Sequence, residues 1–599
     1  MYTTCCMIHN ILKNVFGYDH FRPLQEDIIQ RTLSGKDSIV IMPTGGGKSL
    51  CYQVPALCVD GCAIVVSPLI SLMQDQVLSL QQQGVAAKLW NSTLTHTEVQ
   101  EVEFELVQNR LKLLYVSPER LVLPDFLALL KSCNISFFAI DEAHCISEWG
   151  HDFRPPYRQL HQLKTLFPNK PILALTATAT EQVTHDIINQ LTFTDYKIFK
   201  ASFNRPNLFY DVKPKKNTFQ LLLKFIAERK DQSGIIYCQS RKSVDNITEK
   251  LCKNGYAARA YHAGLSSLER EQAQQTFIHD DTAIIVATIA FGMGINKSNV
   301  RFVVHYDLPK TVENYYQETG RAGRDGLDSY CLLFFSFADR HKHETFLKDI
   351  PDEKERKNCY KKLNQMVDFA AQPRCRRKQL LHYFGEDHSE CDCQFCDICK
   401  NPPKEVDITL VSQKVLSCIY RVNQNYGVTM IIDILRGQLT PKIKQLRFDQ
   451  LSTFNIVQDL SKNDLHDVIN QLIYLRYILI EGYEYPVLKL STLAWSFLKE
   501  KQPVLMPVYE KPKTAKPTRK KAISGDFDDL LFQKLRDKRK ALSTKQNVPA
   551  YIIFHDKTLQ EIAIAQPQSI DELLSINGIG QKKAQQYGHE FLAVVHEFS

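Results

Sequence analysis

Between about Lys36 and Phe346 the chain repeats one unit: a short apolar run rich in β-branched residues, a polar turn, then a stretch with helical spacing. Ser38–Met42, Ala63–Ser67, Leu113–Val116, Phe137–Ile140 and Ile172–Leu175 form a first series. Gly234–Cys238, Ala283–Ala287, Phe302–Tyr306 and Tyr330–Phe335 form a second, after the turn-prone Asn204-Arg205-Pro206-Asn207. Apolar strands separated by helices are the signature of parallel sheets whose crossover helices cover both faces. The pattern predicts two similar α/β halves.

The remaining length needs further modules. At roughly 150 residues per domain, 599 residues leave room for about four, too many for a small single-site binding protein. With 44% apolar and 23% charged residues, the chain is neither collagenous nor disordered. Its net charge of +8 implies an anionic partner only where the charge is clustered. No apolar run approaches the roughly 18 residues of a membrane span, and MYTTCCMIHNILKN lacks the basic-then-apolar order of a secretory signal. An intracellular soluble protein is expected, so most of the 17 Cys should be reduced thiols. Cys375, Cys391, Cys393, Cys396 and Cys399 crowd together between Arg374 and Lys400, and that density requires a local cause.

The segment from about Asp349 to Phe384 reads as helical and basic, and Asn401-Pro402-Pro403-Lys404 separates it from the next module. Residues 405–505 read as helices and then a pair of short apolar strands around Glu481-Gly482. Lys511–Lys521 carries six basic residues, two Pro and no acid, an exposed linker. A helical segment runs from about Phe527 onward.

Met42-Pro43-Thr44-Gly45-Gly46-Gly47-Lys48-Ser49 comes directly after the first apolar run and opens a helix. Such glycines let backbone N–H groups curl around phosphate, Lys48 supplies charge to the β/γ-phosphates, and the Ser49 hydroxyl suits Mg²⁺. A tight strand-to-helix turn is the alternative for this loop alone. Phe137–Ile140 ends in Asp141-Glu142-Ala143-His144, where Asp141 can hold Mg²⁺ through water and Glu142 can activate the attacking water; helix capping is the alternative for each acid. Gln317-Glu318-Thr319-Gly320-Arg321-Ala322-Gly323-Arg324 sets two Arg three residues apart in the second half. Either suits a γ-phosphoryl group if the halves close on it, or else forms a surface ion pair.

The ordered set FGYDHFRPLQ (16–25), MPTGGGKS, SPLISLMQDQ (67–76), VSPERL (116–121), DEAHCISEWGHDFRP (141–155), LTATA (175–179), IIYCQSR (235–241), ATIAFGMGINK (287–297) and QETGRAGRDG (317–326) resembles the RecQ family of DNA helicases, most closely its bacterial members. The resemblance covers nearly the whole chain. It implies a multidomain α/β protein with two RecA-like P-loop lobes built on parallel sheets (1–203 and 204–346), a helical zinc-binding subdomain (347–402), a winged helix (403–508), a basic linker (509–525) and a C-terminal all-α HRDC domain (526–599). It implies ATP-dependent 3′-to-5′ helicase activity of superfamily 2 in recombination and repair, with ATP, Mg²⁺ and Zn²⁺ as cofactors. Carried onto this sequence, Tyr18 stacks on adenine, Arg22 and Gln25 contact the nucleotide, and Thr44 to Ser49 hold its phosphates. Arg324 is the arginine finger, and Gln317 and Arg321 sense phosphate across the cleft.

Glu148–Pro155 packs Trp149, His151, Phe153 and Arg154 together, a set suited to stacking on bases and gripping phosphate; an aromatic core cluster is the alternative. Members of the family use this loop to couple single-stranded DNA to ATP hydrolysis, although Glu148 and Pro156 stand where the bacterial pattern has Gln and Glu. Cys393, Cys396 and Cys399, with Cys375 upstream, supply four thiolates for a structural tetrahedral Zn²⁺, leaving Cys391 spare; a disulfide is the alternative. Lys462–Tyr477 followed by Ile478–Leu490 suits a winged helix with its hairpin tip at Glu481-Gly482-Tyr483. Gly578-Ile579-Gly580 before Lys582 and Lys583 can offer N–H groups to a DNA phosphate, or simply start a solvated helix.

Basic segments at Arg374–Lys378, Lys511–Lys521 and Lys534–Lys540 are candidate DNA contacts. Expected partners are single-stranded and forked DNA, and single-stranded DNA-binding protein through the winged helix. A monomer is expected, in a bacterial cytoplasm at the nucleoid or, if the basic linker is a localisation signal, in a nucleus.

Overall fold

The computed structural model describes residues 2–147, 154–230, 232–289, 291, 297–386, 392–402, 404–481, 487–500, 503–508, 528–546 and 548–598. They divide into two compact units. One comprises residues 1–334, 377–391 and 521–599, and the other residues 335–376 and 392–520.

The first unit holds two sheets. Strands β1 (Asp37–Ile41), β2 (Cys62–Val66), β3 (Ala87–Trp90), β4 (Leu113–Val116), β5 (Ile135–Ile140), β6 (Ile172–Thr176) and β7 (Tyr196–Lys200) pair in the order β3-β4-β2-β5-β6-β1-β7, parallel throughout. Successive side chains of each strand point to opposite faces. Ile39, Ile41, Ile64, Val66, Phe138 and Ile140 enter one core, and Val40, Ala63, Val65, Phe137, Ala139 and Leu173 enter the other. Burying each larger aliphatic side chain contributes about 1.5–3 kcal/mol, so helices on both faces are obligatory.

In the second lobe β8 (Leu208–Pro214), β9 (Ser233–Tyr237), β10 (Ala258–Tyr261), β11 (Ile284–Ala287), β12 (Val300–His305) and β13 (Ser329–Phe335) take the order β10-β11-β9-β12-β13-β8. A Cβ on Gly234 would overlap the Phe302 ring at 2.0 Å, so the β9–β12 register needs glycine there. The four strands that apolar runs did not predict, β3, β7, β8 and β10, are the edges of the two sheets.

The interlobe segment is held by residues that come after the first member of the Cys cluster. Phe203 stacks on Phe384 at 4.4 Å, Arg377 donates to Asn204 Oδ1, Pro206 O and Leu208 O, and Glu386 accepts from Phe203 N–H. The described residues 528–546 and 548–598 form five helices around Leu535, Ile553, Leu559, Ile562, Tyr587 and Phe591. They pack on both lobes: Tyr551 donates to Asp75, Lys582 to Gln81 O, His555 pairs with Ser298, and Tyr551 and Ile552 form an apolar cluster with Ile278 and Leu78.

In the second unit, the helices Phe337–Leu347 and Glu353–Ala371 precede the Cys cluster. The helices Thr409–Arg421, Val428–Leu435 and Lys462–Tyr474 then enclose a core of Val415, Ile419, Ile432, Leu435, Leu465 and Ile469. The antiparallel hairpin β15 (Ile478–Glu481) with β16 (Val487–Leu490) succeeds them, and β14 (Lys404–Asp407) pairs antiparallel with β17 (Leu505–Val508). The expected hairpin tip Gly482-Tyr483 and the linker Lys511–Lys521 lie outside the described residues.

Candidate nucleotide cleft and metal centre

In open α/β sheets, ligands bind beyond the carboxyl ends of the strands, and three central strands of the first lobe end there in chemistry-bearing loops. β1 runs into Met42–Ser49, which turns on Gly46 N–H to Pro43 O (2.9 Å) and enters the helix Leu50–Cys58. Gly45 and Gly47 have φ of +80° and +85°, a left-handed backbone that glycine adopts without steric cost. Lys48 Nζ donates to Met42 O at 3.1 Å across the loop, and Thr44 and Ser49 are half-buried at its ends.

Gln25, 1% exposed, braces this loop. Its Nε2 donates to Gly47 O at 2.9 Å, its Oε1 accepts Arg22 N–H at 2.8 Å, and Arg22 Nη1 donates to Gly45 O. Tyr18, half-buried, packs against the same core.

β5 ends in Asp141 and Glu142. Asp141 N–H donates to Val66 O at 2.9 Å, and Tyr157 Oη donates to Asp141 O at 2.9 Å. Glu142 stands at φ +49°; its Oε2 is buried, has no hydrogen-bond donor among the described residues, and lies 3.3 Å from His144 Nδ1. His144 Nδ1 is 2.9 Å from Thr176 Oγ1 at the end of β6; the Thr176 hydroxyl donates to Thr178 O, which leaves His144 to donate to it. Burial, with Glu142 alongside, pushes the Asp141 carboxyl up to about 7. Burial lowers the Lys48 ammonium, against the pull of Glu142 and Asp141.

The second lobe reaches this site. Gln317 Nε2 donates to Thr178 Oγ1 at 3.2 Å. A Cβ placed on Gly45 would stand 3.6 Å from Arg324 Cα, and one on Gly320 would stand 3.2 Å from Thr44 Cβ. The loop carrying both arginines therefore lies directly on the phosphate loop. Arg321 is 6% exposed and borders Tyr237; burial draws Arg324 down to about 9, with the like charges of Arg321 and Arg205 adding to the effect. Lys48, Arg205, Arg321 and Arg324 thus share a desolvated cleft with Asp141 and Glu142. That excess of positive charge fits a multiply charged anion, and the oxygens of Ser49 and Asp141 are of the hard kind that Mg²⁺ takes.

Of the aromatic-rich loop, Trp149, His151 and Phe153 lie outside the described residues. Arg154 is described: its N–H donates to Cys145 O at 3.0 Å and its Nη1 to Pro68 O at 3.1 Å.

In the second unit the sulfurs of Cys375, Cys393, Cys396 and Cys399 all lie within 4.8 Å of one another. The 3.8 Å between Cys393 Sγ and Cys399 Sγ is far beyond the ~2.05 Å of a disulfide and close to the edge of a tetrahedron with ~2.3 Å metal–sulfur bonds. A hydrogen bond with Cys375, helped by burial, raises the Cys393 thiol to about 11. Cys399 N–H donates to Cys396 Sγ, and Arg376 grips Asp397 and Phe369 O beside the cluster. Zinc fits this donor set.

The structure narrows three expectations of DNA contact. Gly578 N–H is spent on Gly17 O at 2.8 Å, and a Cβ on Gly580 would meet Val15 O at 2.7 Å, so this Gly-x-Gly turn packs on the first lobe instead of facing a phosphate. Of Arg374–Lys378, Arg376 and Arg377, 2% and 5% exposed, are consumed by internal hydrogen bonds, while Arg374 and Lys378 stay exposed. Of Lys534–Lys540, Arg539 is buried on Phe554 O and Asp556, while Lys534 and Lys540 stay exposed. Within both basic segments, charge density alone does not separate the exposed side chains from the structural ones.

Two features escaped the sequence. Thr178 lies within LTATA, yet its pairing with Gln317 joins residues 139 positions apart. Arg205 was legible only as part of a turn-prone tetrapeptide, and no local pattern marks it.

Family models place these parts. DEAD/DEAH box helicase matches residues 22–187 and helicase conserved C-terminal domain matches 217–326, with RecQ zinc-binding (337–400), RQC domain (402–515) and HRDC domain (528–595) further along the chain. Fold and cleft together define a two-lobed DEAD/DEAH-type helicase. Over 98% of this chain it is 47% identical to the ATP-dependent DNA helicase RecQ of Pasteurella multocida, covering 93% of that protein. It is 46% identical over 98% to that of Haemophilus influenzae and 40% identical over 99% to that of Bacillus subtilis, covering 95% and 99% of those proteins. The chain belongs to the RecQ family of ATP-dependent DNA helicases.

Proposed function

We propose that the chain hydrolyses ATP in this cleft and uses the cycle to move 3′ to 5′ along single-stranded DNA, separating duplexes in recombination and repair. The observation that carries the reading is the seating of the Arg321–Arg324 loop on the phosphate loop, which makes one reaction site out of two lobes.

Each role derives from position. The left-handed Gly45 and Gly47 aim backbone N–H groups at phosphate oxygens, with Gly46 between them. Gln25 and Arg22 hold that loop through its carbonyls, next to Tyr18 on the adenine side. Lys48 neutralises the β/γ-phosphates, and Ser49 and Asp141 would hold Mg²⁺, which when bound would screen phosphate charge. Glu142, whose Oε2 has no competing donor among the described residues, accepts the proton of the attacking water and is steered by His144. Arg324 stabilises the charge that develops on the transferring phosphoryl group, an effect worth about 10³ to 10⁵ in rate when an arginine supplies it. Gln317 and Arg321 relay phosphate occupancy to the second lobe, since Gln317 is tied to Thr178. Trp149, His151, Phe153 and Arg154 form the DNA-coupling loop, and the four-Cys zinc is structural because no coordination position remains open.

Single-stranded DNA-binding protein is the expected partner of the winged helix, and the protein acts as a monomer in a bacterial cytoplasm. Among the described residues no helix is long and apolar enough to cross a membrane. Unwinding of a 3′-tailed duplex by the native protein and by Lys48→Ala tests the reading. Native unwinding with loss in the variant is expected, and equal unwinding by both refutes it. No unwinding by the native protein despite DNA-stimulated hydrolysis would make it a translocase instead.

A further inference from the structure

Arg205 lies between the lobes, in neither the phosphate loop nor the arginine loop, yet it touches both. Its Nη1 donates to Thr44 O at 2.6 Å and reaches Gly320 O at 3.5 Å; its Nη2 donates to Ala322 O at 3.0 Å and Gly323 O at 2.9 Å. All four acceptors are backbone carbonyls, one in the first lobe and three in the second. The next polar residue along, Asn207, donates to Gly323 O and Leu327 O, both at 2.9 Å. Gly323 stands at φ +57°, and a Cβ there would meet Asn207 Nδ2 at 2.4 Å, so the loop is shaped to receive this clamp. The segment bearing Arg205 is itself fixed: Tyr316 Oη donates to Phe203 O at 2.8 Å and Arg377 holds Asn204, Pro206 and Leu208.

We propose that Arg205 is a positioning residue for ATP hydrolysis, a single guanidinium that registers the arginine loop of the second lobe against Thr44 of the phosphate loop and so sets where Arg324 meets the γ-phosphate. A planar fork with five fixed donors can span carbonyls on two loops at once, whereas a lysine ammonium is a compact point charge on a flexible stem. The bonds to Ala322 and Gly323 lie within the second lobe and its clamp, so they persist when the lobes part. The bond to Thr44 crosses the cleft and exists only while the lobes are closed. Arg205 is thereby the piece of the second lobe's machinery that reads cleft closure through the main chain of the phosphate loop, without touching nucleotide. This role rests on Arg324 acting on the phosphoryl group.

The test is a kinetic cycle of the full-length protein on single-stranded DNA: native, Arg205→Ala, Arg205→Lys, Arg324→Ala, and Arg205→Ala with Arg324→Ala. Arg205→Ala is expected to lower kcat on the order of 100-fold, as misplacement of a reacting group by about an ångström does, with KM for ATP within about threefold because the Tyr18, Gln25 and Lys48 contacts remain. Arg205→Lys keeps the charge and is expected to restore little of kcat. The double variant should be no slower than Arg324→Ala alone, since a residue acting through another loses its effect when that one is gone. If Arg324→Ala leaves kcat unchanged, the arginine-finger reading fails before this one is reached. If Arg324→Ala is slow and the double variant multiplies the two losses, Arg205 does not act through Arg324 and the proposal is overturned. Full rescue by Lys, or a rise in KM at constant kcat, overturns it as well. Should Arg205→Ala fail to fold, Arg205→Lys with the native melting temperature replaces it in the cycle, where native kcat refutes the bridge.

Discussion

Replacing Gly47 by Ala probes how the phosphate loop is held, and its cost can be worked from two numbers. The backbone of Gly47 stands at φ +85°, a conformation that costs a residue with a Cβ about 1–2 kcal/mol. The new Cβ would also lie 2.4 Å from Gln25 Nε2, so Gln25 must withdraw and its 2.9 Å bond to Gly47 O is lost, about 1 kcal/mol more. Without nucleotide the variant loop relaxes to a negative φ, and binding has to drive it back, so the cost falls on affinity. The sum of about 2–3 kcal/mol predicts a Kd for a non-hydrolysable ATP analogue raised roughly 30- to 150-fold, since 1.4 kcal/mol is tenfold. Calorimetric titration measures it. Gln25→Ala should by itself cost about 1 kcal/mol, and in that background Gly47→Ala should cost only the backbone share, because the clash is gone. The bracing role of Gln25 is refuted if Gly47→Ala binds like the native protein, or if its cost is the same whether or not Gln25 is present.

Two further outcomes are expected. Cys393→Ser should lose zinc and soluble yield together, since structural zinc binding of about 10–16 kcal/mol is folding energy in such sites; metal analysis that finds native zinc content removes this ligand. His555, half-buried against Ser298 between the C-terminal helices and the second lobe, has its imidazole pushed down to about 4 by desolvation, with Lys583, Arg539 and Arg22 opposing the proton and Asp556 favouring it. The released form takes up a proton near the ordinary 6.5 and the docked form does not, so docking is at full strength above about pH 6.5 and weakens as pH falls toward 4. Hydrogen-exchange protection of residues 550–565, normalised for intrinsic rate, should fall between pH 7 and pH 5 in the native protein and less in His555→Gln; equal loss in both removes His555 as the cause.

The amino-acid sequence by itself determined the interiors of both sheets. β1, β2, β4, β5, β6, β9, β11, β12 and β13 are flanked on both sides, so covering their faces demands unbroken apolar runs that are visible at short range. β3, β7, β8 and β10 are edges, and Tyr196–Lys200, with Phe199 alone of its residues buried, shows how an edge strand loses that signal. The phosphate loop, the Asp141-Glu142 pair and the Cys spacing were also legible, because each requires particular residue types within a few positions of one another.

Only tertiary structure decided what the remaining charges do. Arg376, Arg377 and Arg539 have the composition of a nucleic-acid surface and the burial of struts, and which of these an arginine becomes depends on carbonyls that reach it from distant segments. The same holds for Gly578 against Gly17, for Gln317 against Thr178, and for Arg205, whose four carbonyl partners lie more than a hundred residues away on either side. A backbone carbonyl carries no side-chain identity, so a bond to one leaves no mark in the sequence of its partner.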